Sequence, residues 1–431
     1  MQKPVTRAHS VLLVLISLAC AASMWLYIQR VLIPYQKADA AWHNRPRGNL
    51  SDLYPRWLGT RELLLHGRDP YSIEVTREIQ AGYYGRPLDS TRPDDPRDEE
   101  RFAYPVYVVF LLAPAILFPF ETAQRAFDAV MLLVTITSVP LWLRLIRWRV
   151  RSWALACLVL LTLGSPAVMQ AFKLHQLTLL VAALLITATY LITRGSLVAA
   201  GPLLALATIK PHLAGLLLVW LTIWISADWR YRRQLAWSFL ASMALLLGGS
   251  ELLLPHWLPK FIQAVRAYEH YTEAGSVVDR MISPWLGIPV TILTVAMGLL
   301  ICWQQRRHNA DSEAFMQVLS LVLAVTVLIA PILAPYNQII LLPAILLLAR
   351  ERHAIRASGW VGAFLLALLV IAVGWPWFAS IPIAAASFVL PAHVTQRCWT
   401  VPFWSAWLVP VATAASMLVI AYRGSRDTPP A

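Results

Sequence analysis

Apolar positions along the chain gather into long runs separated by short polar breaks, and a bilayer crossing needs about 20 such residues, with about 17 tolerated. Runs of this kind cover residues 10–33, 122–143, 153–172, 176–193, 197–226, 235–254, 286–303, 314–333, 337–349, 358–378 and 401–422. They predict an all-α polytopic membrane protein. Segment 197–226 is flanked on one side by both Arg194 and Arg230, so it is expected to cross twice as two short helices broken at "IKPH", residues 209–212. Interrupted helices of this kind commonly build binding sites, because the broken backbone needs a cavity or ligand. Segment 102–120, "FAYPVYVVFLLAPAILFPF", holds Pro105, Pro114 and Pro119 and is expected to lie re-entrant or interfacial rather than to cross. The expectation is about twelve transmembrane helices in a single integral membrane domain, residues 1–431.

Charge orients the threading. "RLIRWRVR", Arg194, "DWRYRR", "QQRRH", "RERHAIR" and the tail from Arg423 are short basic loops, which the positive-inside rule assigns to the cytoplasm. Both termini are then cytoplasmic in a plasma (inner) membrane. The external face receives the long first loop 34–121 with its surface helices, the Lys210 turn, the second loop 255–285, the "APYN" turn at Ala334 and the late loop 375–400. Lys3 and Arg7 precede an apolar run that passes through "LACAAS" and has the look of a signal peptide. The run continues to Ile33, longer than such a peptide needs, so a retained first span is expected.

Composition agrees with this pattern: 58% of residues are hydrophobic, 14% are charged and mean hydropathy is +0.59, which excludes an ordinary soluble domain. The net charge of +13 would suit a nucleic-acid partner, but the Arg residues sit in short clusters between apolar runs, where bilayer orientation explains them. Many of the 19 Trp, such as Trp229, Trp303 and Trp399, stand near span ends as interfacial anchors. Three of the four cysteines, Cys20, Cys157 and Cys302, fall inside apolar runs, so neither a disulfide nor a metal site is expected.

Polar residues in the external segments are the candidates for chemistry. "SDLYPRWLGTRELLLHGRDPYS" opens on Asp52, where extended chain turns into a partly amphipathic helix; an Asp there is either an N-cap with Arg56 one turn on, or a base at the membrane surface. Lys210, deep in an apolar stretch, is costly unless it snorkels or is paired, and a headgroup phosphate is a natural partner, with His212 able to add a second donor. Lys173, His175 and Gln176 form a similar short turn, and Tyr336 and Asn337 follow "LAP". "HYTEAGSVVDR" gathers His, Glu, Asp and Arg in one loop without a specific pattern. "RPDDPRDEE", residues 92–100, reads as a solvated loop. The next acid after Asp52 is Glu62, so no pair of carboxylates at metal-ligand spacing is seen near it and no obligatory divalent metal is expected.

The ordered set "DLYPRW", "LLLHGRDPYS", "FAYP", "KLHQLTLL", "AGPLLALATIKPHLAGLLL" and "LAPYNQIILLPAI" resembles glycosyltransferase family 87, of the C-type (GT-C) membrane glycosyltransferases, over most of the chain from Asp52 to about Leu348. The resemblance implies a GT-C-like fold and a polyprenyl-phosphate sugar donor, typically of mannose. It implies an aspartate in the first external loop, here Asp52, as catalytic base. It places the "KPQ"-type turn, here Lys210, Pro211 and His212, and the Gln of a "GQ"-type turn, here Gln176, near the donor. His212 stands where the family has Gln, His175 where it has Gly, and the late turn reads Ala334, Pro335, Tyr336, Asn337 without the His of some members.

The implied reaction is direct displacement at the anomeric carbon, with inversion, by a hydroxyl of a lipid-linked or cell-envelope glycan acceptor. Lys210, His212 and Arg56 are expected at the donor phosphate. Gln176, His175, Tyr104, Trp57, Tyr336 and Asn337 are expected in the donor or acceptor pocket, with Tyr71 beside them. No cofactor is expected, and the partners are donor, acceptor and membrane lipid. The rival reading is a transporter or flippase of lipid-linked substrates, for which paired discontinuous helices in two related halves are expected and only one, at Lys210, is seen.

Overall fold

In a computed structural model, which describes residues 6–44, 51–89, 91–271 and 275–427, the regular structure is helical. Among the described residues no strand forms; one isolated parallel bridge joins Gly275 to Ile332. Residues 272–274 of the second loop, the centre of "HYTEAGSVVDR", lie outside the described residues, as does Lys3.

Among the described residues, six helices are long and apolar enough to cross a membrane: Arg7–Trp42, Phe120–Leu145, Trp229–Leu253, Trp285–Gln305, Trp360–Ala386 and Ala392–Ala421. The pair Ser152–Leu163 and Pro166–Leu174, bent by 50°, makes a seventh if it counts as one span. This corrects the expected count of about twelve. The other four runs fold as five shorter apolar helices, Thr178–Thr193, Leu197–Ala207, Pro211–Ala227, Glu313–Ile329 and Pro335–Arg350, with run 197–226 supplying two of them. At a rise of about 1.5 Å per residue, Leu197–Ala207 falls well short of a hydrocarbon core about 30 Å thick, and the 17-residue helices Pro211–Ala227 and Glu313–Ile329 stand at the lower limit. The sequence overcounts because hydropathy runs on through points where helical bonding stops. Residues 208–210 form a turn before Pro211, which takes the first helical position that its missing N–H favours. Segment 102–120 also breaks up, into Val108–Leu112 and a 3₁₀ turn Ala113–Leu117, too short to cross.

The central helix, Glu313–Ile329, is apolar all round and buried along almost its full length, as such a pattern requires. Phe315 at its start packs on Trp220 and Trp224 of Pro211–Ala227, with ring centroids 5.9 and 5.3 Å apart. The basic loops converge at one end of the bundle. Arg350 pairs with Glu313 at 3.1 Å and Glu351 at 2.7 Å, Arg147 reaches the Asp311 carbonyl at 2.6 Å, and Arg232 donates to the Trp224 and Arg306 carbonyls at 2.6 and 2.8 Å.

The first loop forms a compact cap at the opposite end. Its helix Leu53–His66 buries Leu53, Trp57 and Leu63 and stops at Gly67, whose φ of 64° lets Gly67 and Arg68 N–H return to the Leu63 and Glu62 carbonyls. Helix Ile73–Tyr84 starts where the Ser72 hydroxyl accepts the Val75 N–H at 3.2 Å. Phe102 lies across Gly59 so closely that its ring occupies the space a Cβ would take. The Trp57 indole donates to the Ala115 carbonyl at 3.1 Å, tying the cap to the 3₁₀ turn. Lys260 of helix Trp257–Tyr271 pairs with Asp69 at 2.8 Å and joins the second loop to the first.

Candidate active site

Asp52 stands at the N-cap of Leu53–His66, yet its backbone is already helical (φ −69°, ψ −12°) and its side chain makes no capping bond. The cap reading of Asp52 is therefore corrected. The carboxylate instead accepts a hydrogen bond from Gln176 Nε2, and the Asp52 N–H donates to the Leu174 carbonyl at 2.9 Å. The turn that delivers Gln176 depends on His175. Helix Pro166–Leu174 ends with His175 in the left-handed region (φ 50°), which closes the Gln176 N–H onto the Ala171 carbonyl at 2.8 Å. A left-handed backbone costs a non-glycine residue about 1–2 kcal/mol. The His175 ring gains partners in exchange: Gln124 at 2.8 Å and Asp128 at 3.4 Å.

Lys210 sits on the turn before Pro211, buried, with its ammonium donating to Gln176 Oε1 at 2.6 Å and Thr178 Oγ1 at 2.7 Å. Thr178 in turn donates to Asn337 Oδ1 at 3.3 Å. One amide thus connects an acid and a base: Gln176 donates to Asp52 and accepts from Lys210. Snorkelling is excluded for this Lys, because its charge is taken up inside the protein. The Nζ also lies 5.0 Å from the Tyr336 ring centroid and 6.0 Å from that of Tyr104, within cation–π range.

These groups border a cavity of about 430 Å³. Arg56, Tyr104, Gln176, Lys210, His212, Tyr336 and Asn337 all line it. Arg56 is buried, donates through Nη1 to the Asp52 carbonyl at 2.6 Å, lies 4.7 Å from the Tyr104 ring and keeps an Nε without a partner among the described residues. Burial pushes the Tyr104 phenol up to about 12, so it is a neutral hydrogen-bonding group at ordinary pH. The Tyr71 hydroxyl, at 2.6 Å from the Tyr104 carbonyl, fixes that strand of chain from behind rather than entering the cavity. The far wall comes from helix Trp257–Tyr271, which supplies Phe261, Ile262, Val265, Arg266 and Tyr268.

Residues 92–100 are not simply a solvated loop. Asp95 pairs with Arg86, and the chain then turns inward: Tyr84 Oη donates to the Asp98 carbonyl at 2.8 Å, Gln80 to the Glu99 carbonyl at 3.1 Å, and Glu100 adopts a left-handed backbone at φ 49°. Burial raises the Asp98 carboxyl to about 6, and burial together with the nearby Asp98 and Asp52 charges holds Glu100 well above the usual carboxylate range.

Seven of the ten sequence candidates thus line one cavity, and Asp52 joins it through Gln176. Trp57 and His175 do not line it: Trp57 packs on Tyr54 and Phe120, and His175 faces Gln124. Thr178, Arg266, Tyr268 and the inward-turned acids were not singled out from sequence. A Thr opening an apolar helix has no signature, and Arg266 and Tyr268 lie in a surface helix whose alternative is solvent. Among the described residues no group of three or more His, Cys, Asp or Glu is arranged to hold a metal ion.

The arrangement pairs a carboxylate with buried cations beside a cavity walled by aromatic and apolar groups, a setting suited to a sugar joined to a lipid phosphate. A family model for glycosyltransferase family 87 matches residues 102–331, just over half of the chain. The match covers Tyr104, Gln176, Lys210 and His212 and leaves Asp52, Arg56, Tyr336 and Asn337 outside it. Neither the curated proteins nor the solved structures give a match. The match over more than half of the chain and a helical bundle with several membrane-length helices agree: the chain belongs to glycosyltransferase family 87, and with it to the GT-C membrane glycosyltransferases.

Proposed function

We propose that the protein transfers a hexose, mannose in the first instance, from a polyprenyl-phosphate donor to a hydroxyl of a lipid-linked or cell-envelope glycan on the external face of the plasma membrane. The acceptor oxygen bonds to the anomeric carbon as the bond from that carbon to the phosphate oxygen breaks. The electron pair leaves with the polyprenyl phosphate, the hydroxyl proton passes to Asp52, and the configuration inverts. Negative charge grows on the departing phosphate, where fixed cations act most strongly; Lys210, Arg56 and His212 are assigned there. Tyr104, Tyr336 and Asn337 are assigned to the sugar.

The observation that carries this reading is Gln176, whose amide oxygen accepts a hydrogen bond from Lys210 and whose amide N–H donates one to Asp52. A base for the acceptor and a cation for the leaving group are thereby held one side chain apart. The test is transfer by the full-length protein in liposomes with polyprenyl-phosphate-mannose and a membrane extract as acceptor source. Asp52→Asn is expected to slow transfer by about 10²–10⁴, the usual worth of a general base. Lys210→Ala is expected to raise the KM for donor in protein that still inserts. Equal turnover by Asp52→Asn would remove that residue from the mechanism.

A further inference from the structure

A second cavity, of about 220 Å³, lies on the other side of the 3₁₀ helix Pro335–Leu341. In a helix of three residues per turn, positions three apart share a face. Accordingly Tyr336 and Asn337 look into the first cavity, whereas Pro335 and Gln338 line the second. Apolar side chains dominate its walls, including Leu342, Val373 and Phe403, and Pro376 of Trp360–Ala386 lines it as well. The polar groups at its edge are mostly bound elsewhere. Trp377 Nε1 donates to the Gly164 carbonyl at 2.8 Å and the Gln338 amide donates to the Ala406 carbonyl. Ser405 is the exception: the residue is more than nine-tenths buried, and its hydroxyl has no partner among the described residues.

Resting on the transferase reading above, we infer that this cavity binds the hydrocarbon chain of a lipid acceptor, with Ser405 Oγ hydrogen-bonded to the ether or ester oxygen where chain meets headgroup. Two features assign the chain to the acceptor rather than the donor. The donor phosphate, placed at Lys210, already has an apolar exit in Phe261, Ile262 and Val265, on the wall of its own cavity. Helix Pro166–Leu174 begins at the second cavity with Pro166 and Ala167 and ends at Leu174, whose carbonyl holds the Asp52 N–H. At about 1.5 Å per residue the two ends are roughly 12 Å apart. A chain seated at one end therefore delivers a headgroup of a few sugars to the base at the other. The enzyme selects its acceptor by the anchor as well as by the hydroxyl.

The test is photolabelling of the full-length protein in phosphatidylcholine nanodiscs, which requires no turnover and so is read independently of whether transfer occurs. Hexadecyl mannoside with a chain diazirine is expected to label the segments around Val373 and Leu342. Polyprenyl-phosphate-mannose with a diazirine in its chain is expected to label around Phe261 and Val265. Unlabelled hexadecyl mannoside should displace the first label and methyl mannoside should not. Val373→Trp, which fills the cavity, should cut that labelling about tenfold, the equivalent of roughly two methylenes kept from burial, and Ser405→Ala about fivefold. Labelling of this cavity by the donor probe would overturn the assignment. So would labelling by a diazirine phosphatidylcholine that hexadecyl mannoside cannot displace, since the space would then hold only bulk lipid. If Val373→Trp does not fold, the displacement pattern in the wild type decides alone.

Discussion

Gln176 holds together charges that would otherwise be stranded. Lys210 is buried and has two acceptors, Gln176 Oε1 and Thr178 Oγ1, so Gln176→Leu removes one of them and frees the Asp52 carboxylate as well. A buried charged group left short of a partner costs about 1–3 kcal/mol or more. Gln176→Leu is expected to lower the unfolding midpoint and donor affinity together, while Gln176→Glu, which keeps an acceptor for Lys210 and places a second carboxylate against Asp52, should retain donor binding and lose turnover. Donor binding and single-turnover rates on both variants check this. In the same cap, Asp98 titrates near 6 when folded, against about 3.9 in an unfolded chain. The folded loop therefore holds its proton more tightly than the unfolded one, and Glu100 shifts in the same direction. The resulting stability is full below about pH 4 and is lost as pH rises through 6, on the order of 1–3 kcal/mol. Amide exchange of residues 96–101, corrected for its intrinsic pH dependence, should be slower at pH 5 than at pH 7.5, and Asp98→Asn should remove much of the difference.

Among the elements, the first-loop cap is tightly packed at one point that bears on the cavity. Phe102 fills the place of a Cβ on Gly59, and the same short segment carries Tyr104 into the cavity. Gly59→Ala is expected to push Phe102 outward at a cost of about 1–3 kcal/mol, typical of overpacking, and to move Tyr104 away from Arg56. Thermal unfolding in detergent should show the loss, and Gly59→Ala combined with Phe102→Leu should recover most of it. Part of this cap was legible: the start of a helix at Asp52 is a local signal, whereas the stop at Gly67 and the start at Ser72 became plain only in the structure. The turn of residues 208–210 before Pro211 was legible for the same reason, because proline removes a donor wherever it stands. Residues 92–100 misled, since their charges and prolines look solvated until Tyr84, Gln80 and the left-handed Glu100 draw them inward.

Across the whole molecule, the two ends of the bundle differ in kind: basic loops cluster around Arg350 and Arg232 at one end, and the cap with the polar cavity occupies the other. If the basic end is cytoplasmic, a single cysteine at Ser72 should react with an impermeant maleimide in intact cells, and one at Arg149 should react only after permeabilisation. The opposite pattern would remove the external placement of the site and the reading of its acceptor. The span count shows where hydropathy misleads at this scale. Apolarity is shared by helices that cross and by short helices buried among them, such as Leu197–Ala207, so a window of residues does not distinguish the two.

The sequence by itself determined the class of molecule, much of the helical pattern and the break before Pro211, and it singled out Asp52 and Lys210 as candidates, because hydropathy, caps and residue chemistry act locally. Tertiary structure decided which of the apolar runs reach membrane length and how residues 52, 176 and 210 meet. It also decided that Trp57 and His175 serve packing and turn geometry rather than line the cavity. A hydrogen bond spanning 124 residues, such as that of Gln176 to Asp52, leaves no trace in either segment, since its partner exists only when Leu174 and the first-loop helix have been brought together.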